Sequence, residues 1–167
     1  MARARRQVRK EAGVEGARML VVEARYYDDI ADQLLRGAKR VLKEAGASFD
    51  LVTVPGALEI PAAIMIALHG SEARDEPYEG VIALGCVIRG ETSHYDIVAG
   101  ESARAIMDIS IARDMPLGNG ILTVDTDAQA RARARLNGED KGGGAARAAL
   151  TLVRLKRKLI REARARR

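Results

Sequence analysis

The sequence is poor in several residue types, and each scarcity excludes a class of protein. With no tryptophan, one phenylalanine and four tyrosines, it lacks the stacking surface of a single-strand nucleic-acid binder. A single cysteine, Cys86, rules out an internal disulfide framework, and two histidines form no recognisable metal-ligand cluster. No apolar run is long enough to span a membrane, and the N-terminus lacks the apolar segment of a secretory signal. We therefore expect a cytoplasmic protein without a metal or a membrane partner.

What is present is ordinary for a globular protein. The 167 residues are 47% apolar and 31% charged, which suits one domain with a sizeable core. The net charge of +5 is unevenly placed, since residues 1–18 hold six Lys/Arg against two Glu and residues 154–167 hold eight against one. Such runs favour solvated ends, or the polar face of a final helix, over a nucleic-acid surface. We expect one domain at 18–160 between basic segments at 1–17 and 161–167.

Apolar runs alternate with helical patterns along the chain, and this alternation predicts the fold. Four strands, each followed by helical sequence, imply parallel pairing and a three-layer α/β/α sandwich of the flavodoxin-like type with a four-stranded sheet. The predicted strands are 18–24, 49–54, 80–88 and 120–124. The predicted helices begin after a cap at Asp28 or Asp29, around Pro61 in a first turn, after the third strand, after the capping pair Thr126 and Gln129, and at about Ala145.

Four finer expectations concern single helices and the segments between the elements. Residues 71–79 form a polar loop, and a glycine-rich turn occupies residues 137–144 before the last helix. The short helix after Gln129 ends at about Leu136. Apolar residues recur near helical spacing after the third strand and predict a helix there, at Ile97, Val98, Ala105, Ile106, Ile109 and Ala112.

The most informative segment is residues 85–98, GCVIRGETSHYDIV. It joins an apolar strand to a helix through a polar turn, and open α/β sheets bind ligands at the carboxyl ends of their strands. Free backbone N–H groups and the positive end of the helix dipole favour a phosphate there. Gly90 permits close approach to the backbone, Thr92 and Ser93 offer hydroxyls, and His94 can move protons near neutral pH. The turn therefore predicts an active site.

Each candidate also has a simpler structural interpretation. His94 is either a general acid–base or a helix cap with its ring bonded to backbone. Glu59 either binds polyol hydroxyls or is a first-turn carboxylate favoured by the helix dipole. Tyr26, at the end of a strand, either stacks on a flat heterocycle or is part of the core.

The charged candidates and the cysteine are similarly open. Arg89 and Arg133 can neutralise a phosphate, but in an arginine-rich chain either can be an idle surface residue. Lys141 lies in a glycine-rich turn that suits a ligand, although GEDKGGG lacks the spacing of a nucleotide triphosphate-binding loop. Cys86 is interpreted as a small buried apolar residue.

With these residues in place, the chain closely resembles the 6,7-dimethyl-8-ribityllumazine synthase family from about Met19 to Leu159. Four motifs in order carry the resemblance: PGALEIP at 55–61, GCVIRGETSHYDIV at 85–98, GILTVDTDAQA at 120–130 and DKGG at 140–143. It implies a cofactor-free condensation of 5-amino-6-(D-ribitylamino)uracil with 3,4-dihydroxy-2-butanone 4-phosphate, which releases phosphate and water in riboflavin biosynthesis. Schiff-base formation, phosphate elimination and ring closure each move protons, in keeping with a histidine beside an anion site.

The resemblance also implies roles for individual residues. Tyr26 takes the place of the ring that stacks on the pyrimidine, and His94 that of the proton-transferring histidine. Arg133 matches a phosphate-clamping arginine and Lys141 a ribityl-contacting lysine, both from the adjacent subunit. The other implied substrate contacts are Ala57 and Glu59 at the ribityl chain, Val87 and Ile88 at the pyrimidine edge, Gly90, Glu91 and Thr92 around the phosphate, and Gly56, Leu58, Cys86 and Asn119 beside them.

The resemblance also implies a pentamer, or an assembly of pentamers up to an icosahedral shell, in which these sites are shared between subunits, and riboflavin synthase is a candidate partner. Two positions depart from the family pattern: Asn119 stands where many members have an aromatic, and Gly144 where many have a glutamate. These departures motivate one alternative, a lumazine- or flavin-binding protein with weak turnover. The basic ends motivate another, a capsid-forming shell protein that meets anionic cargo.

Overall fold

The structure, a computed structural model, describes residues 12–167, in which four parallel strands form one sheet. The strands are β1 (Arg18–Ala24), β2 (Ser48–Val54), β3 (Gly80–Ile88) and β4 (Leu117–Val124), in the spatial order β2-β1-β3-β4. The helices are α1 (Asp28–Glu44), α2 (Ile60–Ala73), α3 (His94–Ala112), α4 (Asp127–Ala134) and α5 (Lys141–Ala165). Parallel strands in this order are the flavodoxin-like arrangement, so the predicted fold class is confirmed.

Two apolar cores fill the two faces of the sheet. One includes residues of α1, α4 and α5, such as Leu34 and Leu150, and the other includes residues of α2 and α3, such as Ile64 and Ile106. Successive residues of β1 and β3 enter opposite cores, so these central strands are buried on both faces, which explains their unbroken apolar sequence. None of the helices in residues 12–167 is long and apolar enough to cross a membrane.

The predicted terminal segments are only partly described. Residues 1–11 of the basic segment 1–17 lie outside the described residues. In the remainder of the segment, Val14 and Ala17 are fully buried in the core shared with α1. At the other end, α5 continues to Ala165, so most of the segment 161–167 is helix.

Residues 141–144 of the predicted glycine-rich turn are the first turn of α5, so the expected helix start at Ala145 is wrong by four residues. Asp140 caps the helix, with φ at 47° and its Oδ1 accepting from the Gly143 N–H at 3.2 Å. Arg40 donates to the Asp140 Oδ2 at 2.7 Å and ties the cap to α1. Glycines are weak helix formers, and the cap and packing against α1 outweigh that weakness.

Close packing of α5 on α1 explains the glycines themselves. A Cβ at Gly142 would overlap the carbonyl group of Leu34, and a Cβ at Gly37 would overlap the Asp140 carboxylate. The backbones of the two helices can therefore approach only because these positions lack side chains. The DKGG motif thus has a packing role within the chain that is independent of any ligand.

Two element boundaries on the first half of the chain also differ from expectation. The N-cap of α1 is Tyr27, not an aspartate, and Asp29 instead accepts a hydrogen bond from the neighbouring Ile30 N–H at 3.0 Å. The polar loop expected at 71–79 begins only after Ala73, because Ser71 is buried in α2 with its hydroxyl donating to the Leu68 carbonyl at 2.8 Å. This local hydrogen bond satisfies the buried Ser71 hydroxyl, so Ser71 can lie within the helix.

The helix predicted after the third strand is confirmed as α3, although its apolar residues are not all covered. Ile106 is buried, and Val98 and Ile109 are half-buried against the same core, whereas Ile97 is 54% exposed. Helical spacing identifies a face but not what covers it, and within one chain this face of α3 is only partly covered.

In the C-terminal half of the chain, β4 begins at Leu117 and not at residue 120 as predicted, so Asn119 lies inside the strand. The capping residue Thr126 is confirmed, since the Gln129 N–H donates to its hydroxyl at 3.2 Å. The reciprocal bond comes from the Asp125 N–H, which donates to the Gln129 side chain at 2.8 Å. The short helix α4 ends at Ala134, two residues before the expected Leu136.

Candidate active site

A cavity of about 460 Å³ opens at the carboxyl ends of β1, β2 and β3. This is the point where the strand order reverses between β1 and β3, so successive crossover helices diverge to opposite faces of the sheet and leave a crevice. Eleven of the sequence-predicted site residues line it: Tyr26, Gly56, Ala57, Leu58, Glu59, Cys86, Val87, Ile88, Gly90, Thr92 and His94. The topology therefore brings together residues that follow three separate strands.

Tyr26 forms one wall and is 73% exposed, which excludes the interpretation that it belongs to the core. Its ring meets the edge of the Tyr27 ring, with centroids 4.9 Å apart and planes at 68°. The tyrosine ring is therefore available for stacking against a flat ligand and is supported by a second aromatic ring.

The turn that carries Tyr26 is held by Arg25. Its guanidinium donates to both oxygens of the buried Glu23 carboxylate at 3.1 Å and to Asp28 Oδ1 at 3.0 Å, and it also pairs with Asp32. These carboxylates lie on β1 and on the first turns of α1. Arg25 therefore fixes the angle at which the chain leaves the strand.

The segment after β2 forms a second wall through a short 3₁₀ turn, Ala57–Glu59. Pro61 follows in the first turn of α2, as predicted. The Glu59 side chain is exposed, and a Cβ at Gly56 would lie 3.0 Å from its Oε2 atom. The missing side chain of Gly56 thus leaves the Glu59 carboxylate room beside the cavity.

The β3–α3 turn supplies the donors expected of an anion site. Among the hydrogen bonds of residues 12–167, none uses the backbone N–H groups of Glu91, Thr92 or Ser93, and Ser93 makes no side-chain cap to α3. The His94 N–H has only the Thr92 hydroxyl, at 3.3 Å. Unsatisfied N–H groups at the start of a 19-residue helix attract an anion.

His94 is the first residue of α3 and lines the cavity. No residue in the described part of the chain forms a hydrogen bond with its ring, so the interpretation that the ring caps the helix is not supported. The ring is exposed and lies beside the free amides of the turn. It is therefore placed to exchange protons with a bound ligand.

Gly90 has open space beside its backbone, as the expected approach of a ligand requires. A Cβ built at Gly90 meets no atom within 4 Å, so its lack of a side chain leaves open space at the cavity and relieves no clash.

Cys86 lines the inner end of the cavity and is 8% exposed. Burial, with smaller contributions from the negative charges of Asp127 and Asp29, raises the pKa of its thiol to about 12. The thiol therefore stays protonated at neutral pH and behaves as a small apolar group, as its sequence context indicated.

Four predicted site residues do not line this cavity. Glu91 lies on the turn but outside the wall, and Asn119 lies on edge strand β4 with its side-chain oxygen accepting from the Ile121 N–H at 2.9 Å. Arg133 on α4 donates to the Gln129 carbonyl at 3.1 Å, and Lys141 at the start of α5 pairs with Glu139 at 3.2 Å. The structure of one chain does not bring these residues to the cavity.

Four lining residues were missed by sequence reasoning: Pro55, Tyr27, Tyr95 and Val98. Tyr27 and Tyr95 each directly follow a predicted site residue, and in a chain with four tyrosines this adjacency was the available signal. Burial raises the pKa of the Tyr27 phenol, which keeps it neutral. In residues 12–167 no group of three or more His, Cys, Asp or Glu side chains could hold a metal ion.

Comparison with known proteins gives a consistent result over most of the chain. Residues 16–157 match the family model described as 6,7-dimethyl-8-ribityllumazine synthase. A protein of that name from Azorhizobium caulinodans is 64% identical over 145 residues, which cover 87% of this chain and 90% of the relative. The 6,7-dimethyl-8-ribityllumazine synthase 1 of Rhodopseudomonas palustris is 60% identical over 162 residues, covering 96% of this chain and 99% of the relative.

Proposed function

Since the chain belongs to the 6,7-dimethyl-8-ribityllumazine synthase family, we propose that the cavity at the carboxyl ends of β1, β2 and β3 is its active site. The chain is an enzyme of riboflavin biosynthesis. It condenses 5-amino-6-(D-ribitylamino)uracil with 3,4-dihydroxy-2-butanone 4-phosphate and releases phosphate and water. The two alternatives, a binding protein with weak turnover and a shell protein, are not favoured, because the relatives bear the name of the synthase.

One observation carries the proposed placement of the phosphorylated ketone: the free N–H groups of the β3–α3 turn lie beside the unbonded ring of His94. The turn binds the phosphate through its amides, including those of Glu91 and Thr92, and Gly90 leaves space for it. When the phosphate leaves, the same donors and the helix dipole stabilise the departing anion.

The aminouracil occupies the other half of the cavity. Its heterocycle stacks on Tyr26, and its edge meets the backbone of Val87 and Ile88. The ribityl hydroxyls reach Ala57 and the Glu59 carboxylate, with Gly56, Leu58 and Cys86 as the surrounding wall.

His94 transfers the protons that the reaction requires. The amine of the uracil attacks the ketone carbonyl, and loss of water gives a Schiff base. Elimination of phosphate leaves an enol that tautomerises to a ketone, and attack of the second nitrogen on this carbonyl, with loss of a second water, closes the ring. Each step needs a proton to be taken up or released, and the His94 ring lies on the phosphate side of the cavity, where it can accept and donate these protons.

The site is completed by a neighbouring subunit, which contributes Arg133, Lys141 and Asn119. In support, these residues do not reach the cavity of their own chain. Large apolar side chains on α2 and α3 also lie open in the single chain, with Ile66 at 73%, Met107 at 59% and Ile111 at 70% exposure. Such a surface is typical of a face covered by another copy. The functional unit is a pentamer, or an assembly of pentamers, in the cytoplasm, with riboflavin synthase as a partner.

Mixing the purified protein with both substrates tests the activity directly. We expect the absorbance and fluorescence of the lumazine product to appear with equimolar release of phosphate, and binding without product would contradict the proposal. His94→Ala is expected to lower kcat by roughly 10- to 10³-fold, the usual size of an acid–base contribution, with little change in KM. Unchanged turnover in that variant would remove His94 from the mechanism.

Mixed oligomers test the shared site. Arg133→Ala and His94→Ala subunits, each weak alone, should regain activity when assembled together, because some sites then combine an intact His94 with an intact Arg133. Native mass spectrometry would measure the number of subunits and confirm that mixing is complete. No recovery in fully mixed oligomers would place Arg133 outside the neighbouring site.

A further inference from the structure

Arg89 follows the last residue of β3, and its side chain turns away from the cavity. The carbon at the centre of its guanidinium lies 4.1 Å from the centroid of the Tyr95 ring. Tyr95 is a half-buried lining residue of the cavity and directly follows His94 in the first turn of α3. Arg89 therefore contacts the wall of the site from behind.

The same guanidinium joins two loops. Its Nε donates to Asp125 Oδ1 at 3.0 Å, in the loop between β4 and α4, and a second nitrogen lies 3.5 Å from Asp96 Oδ1. The Asp125 loop is itself fixed, since its N–H donates to the Gln129 side chain at 2.8 Å. The β3–α3 turn is thus attached to the start of α4 through one arginine.

The charge of Arg89 is already neutralised by these carboxylates, and Asp125 raises the pKa of the guanidinium. The side chain is exposed and does not line the cavity. Exposed ion pairs and exposed contacts between cations and rings contribute little to folding stability. A role as phosphate ligand or as a stability element is therefore poorly supported, while a role in orienting Tyr95 agrees with every contact.

We propose that Arg89 is a positioning residue, which holds the first turn of α3, and with it His94, against the cavity by stacking on Tyr95 and pairing with Asp125. This inference rests on the proposed function, because it assigns His94 to the reaction. Arg89 acts on the turn of its own subunit and touches no substrate.

The test variant is Arg89→Gln, and the chain offers a matched control in Arg18→Gln. The Arg18 guanidinium lies 4.5 Å from the centroid of the Tyr78 ring and pairs with Asp50 at 2.7 Å, at the opposite ends of the strands. Arg18 also pairs with Glu76 at 3.7 Å, so both substitutions remove one cation, one ring contact and two ion pairs. Only Arg89→Gln should affect the reaction.

We expect Arg89→Gln to lower kcat by about 10- to 100-fold, as small misplacements of catalytic groups do, with KM for the aminouracil changed by less than about twofold. Arg89→Lys keeps the charge but loses the planar stack and should have intermediate turnover. Equal kcat values for Arg89→Gln, Arg18→Gln and the unmodified enzyme would overturn the inference. So would a thermal midpoint that falls in Arg89→Gln in proportion to its activity.

Mixed oligomers locate the effect. If Arg89 acts on its own turn, Arg89→Gln subunits should regain activity with Arg133→Ala subunits but not with His94→Ala subunits. The reverse pattern would assign Arg89 to the Arg133 side and refute the proposal. Failure of the proposed function is distinguishable, because the unmodified protein would then form no lumazine, whereas failure of this inference leaves it fully active.

Discussion

The contact between α1 and α5 allows a prediction in which two glycines of one helical turn respond with opposite signs. Gly142 and Gly144 both lie in the first turn of α5, and both would gain helix propensity from alanine. A Cβ at Gly142 overlaps the carbonyl of Leu34, whereas a Cβ at Gly144 meets no atom within 4 Å. Comparing the two alanine variants therefore separates the effect of packing on stability from the effect of helix propensity.

The magnitudes follow from these environments. Replacing a helical glycine with alanine stabilises by roughly 0.5–1 kcal/mol when space is available, so Gly144→Ala should raise the free energy of unfolding by that amount. At Gly142 the same gain is offset by overpacking against backbone, which costs about 1–3 kcal/mol or more because a carbonyl in a helix cannot rotate away. Gly142→Ala should therefore be the less stable of the two by about 2 kcal/mol or more.

Denaturant unfolding, followed by circular dichroism at one fixed subunit concentration, measures both values and avoids shifts caused by mass action. For a chain of this size each kcal/mol corresponds to about 2–4 °C in the thermal midpoint, so a scan gives an independent reading. Equal stability of Gly142→Ala and Gly144→Ala would refute the packing explanation of the DKGG motif and would return these glycines to a ligand-binding role.

Three further predictions concern the core, the surface and the cavity. Because the pKa of Cys86 is about 12, iodoacetamide should alkylate the native protein at pH 8 far more slowly than it alkylates the unfolded chain. Mass spectrometry measures both rates, and equal rates would contradict the burial of Cys86. Arg157 lowers the pKa of Glu79, so Glu79 contributes stability above its usual value of 4.5 that is lost as the pH falls through the lowered value. The difference in unfolding free energy between the unmodified protein and Glu79→Gln should thus be largest above pH 4.5 and should decrease as the pH falls through the lowered value; a pH-independent difference would exclude the ion pair as its cause. Tyr26→Ala should raise KM for the aminouracil by about 2- to 12-fold, equivalent to 0.5–1.5 kcal/mol of stacking. Tyr26→Phe keeps the ring and should leave KM unchanged. A KM for Tyr26→Ala equal to that of the unmodified enzyme would exclude stacking.

The fold was predictable because its signals are local. The apolar runs of β1 and β3 and the spacing of Leu34 and Leu42 on α1 are set by periodicities that a sequence displays directly. Parallel connections then leave few possible topologies. The edge strands and helix ends were less accurate, since a cap such as Asp140 depends on a partner, Arg40, that lies 100 residues away in sequence.

The candidate site was predictable to the extent that its residues follow strand ends. Tyr26, Glu59 and His94 come after three strands whose carboxyl ends meet at one edge, so parallel topology alone gathers them. Tyr95 was missed because a tyrosine beside a histidine carries no pattern that separates a wall of a cavity from an exposed surface. The part of the site assigned to Arg133 and Lys141 depends on a second copy of the chain.

The sequence by itself determined the alternation of strands and helices, the motifs at the strand ends and the family to which they belong, because periodicity and short motifs are written in neighbouring residues. Only the tertiary structure decided why the glycines at 37 and 142 are needed, that Arg89 faces Tyr95 and Asp125, and that the apolar face of α3 is only partly covered. These properties arise where distant segments meet, and the distances between them are fixed by packing of the whole chain.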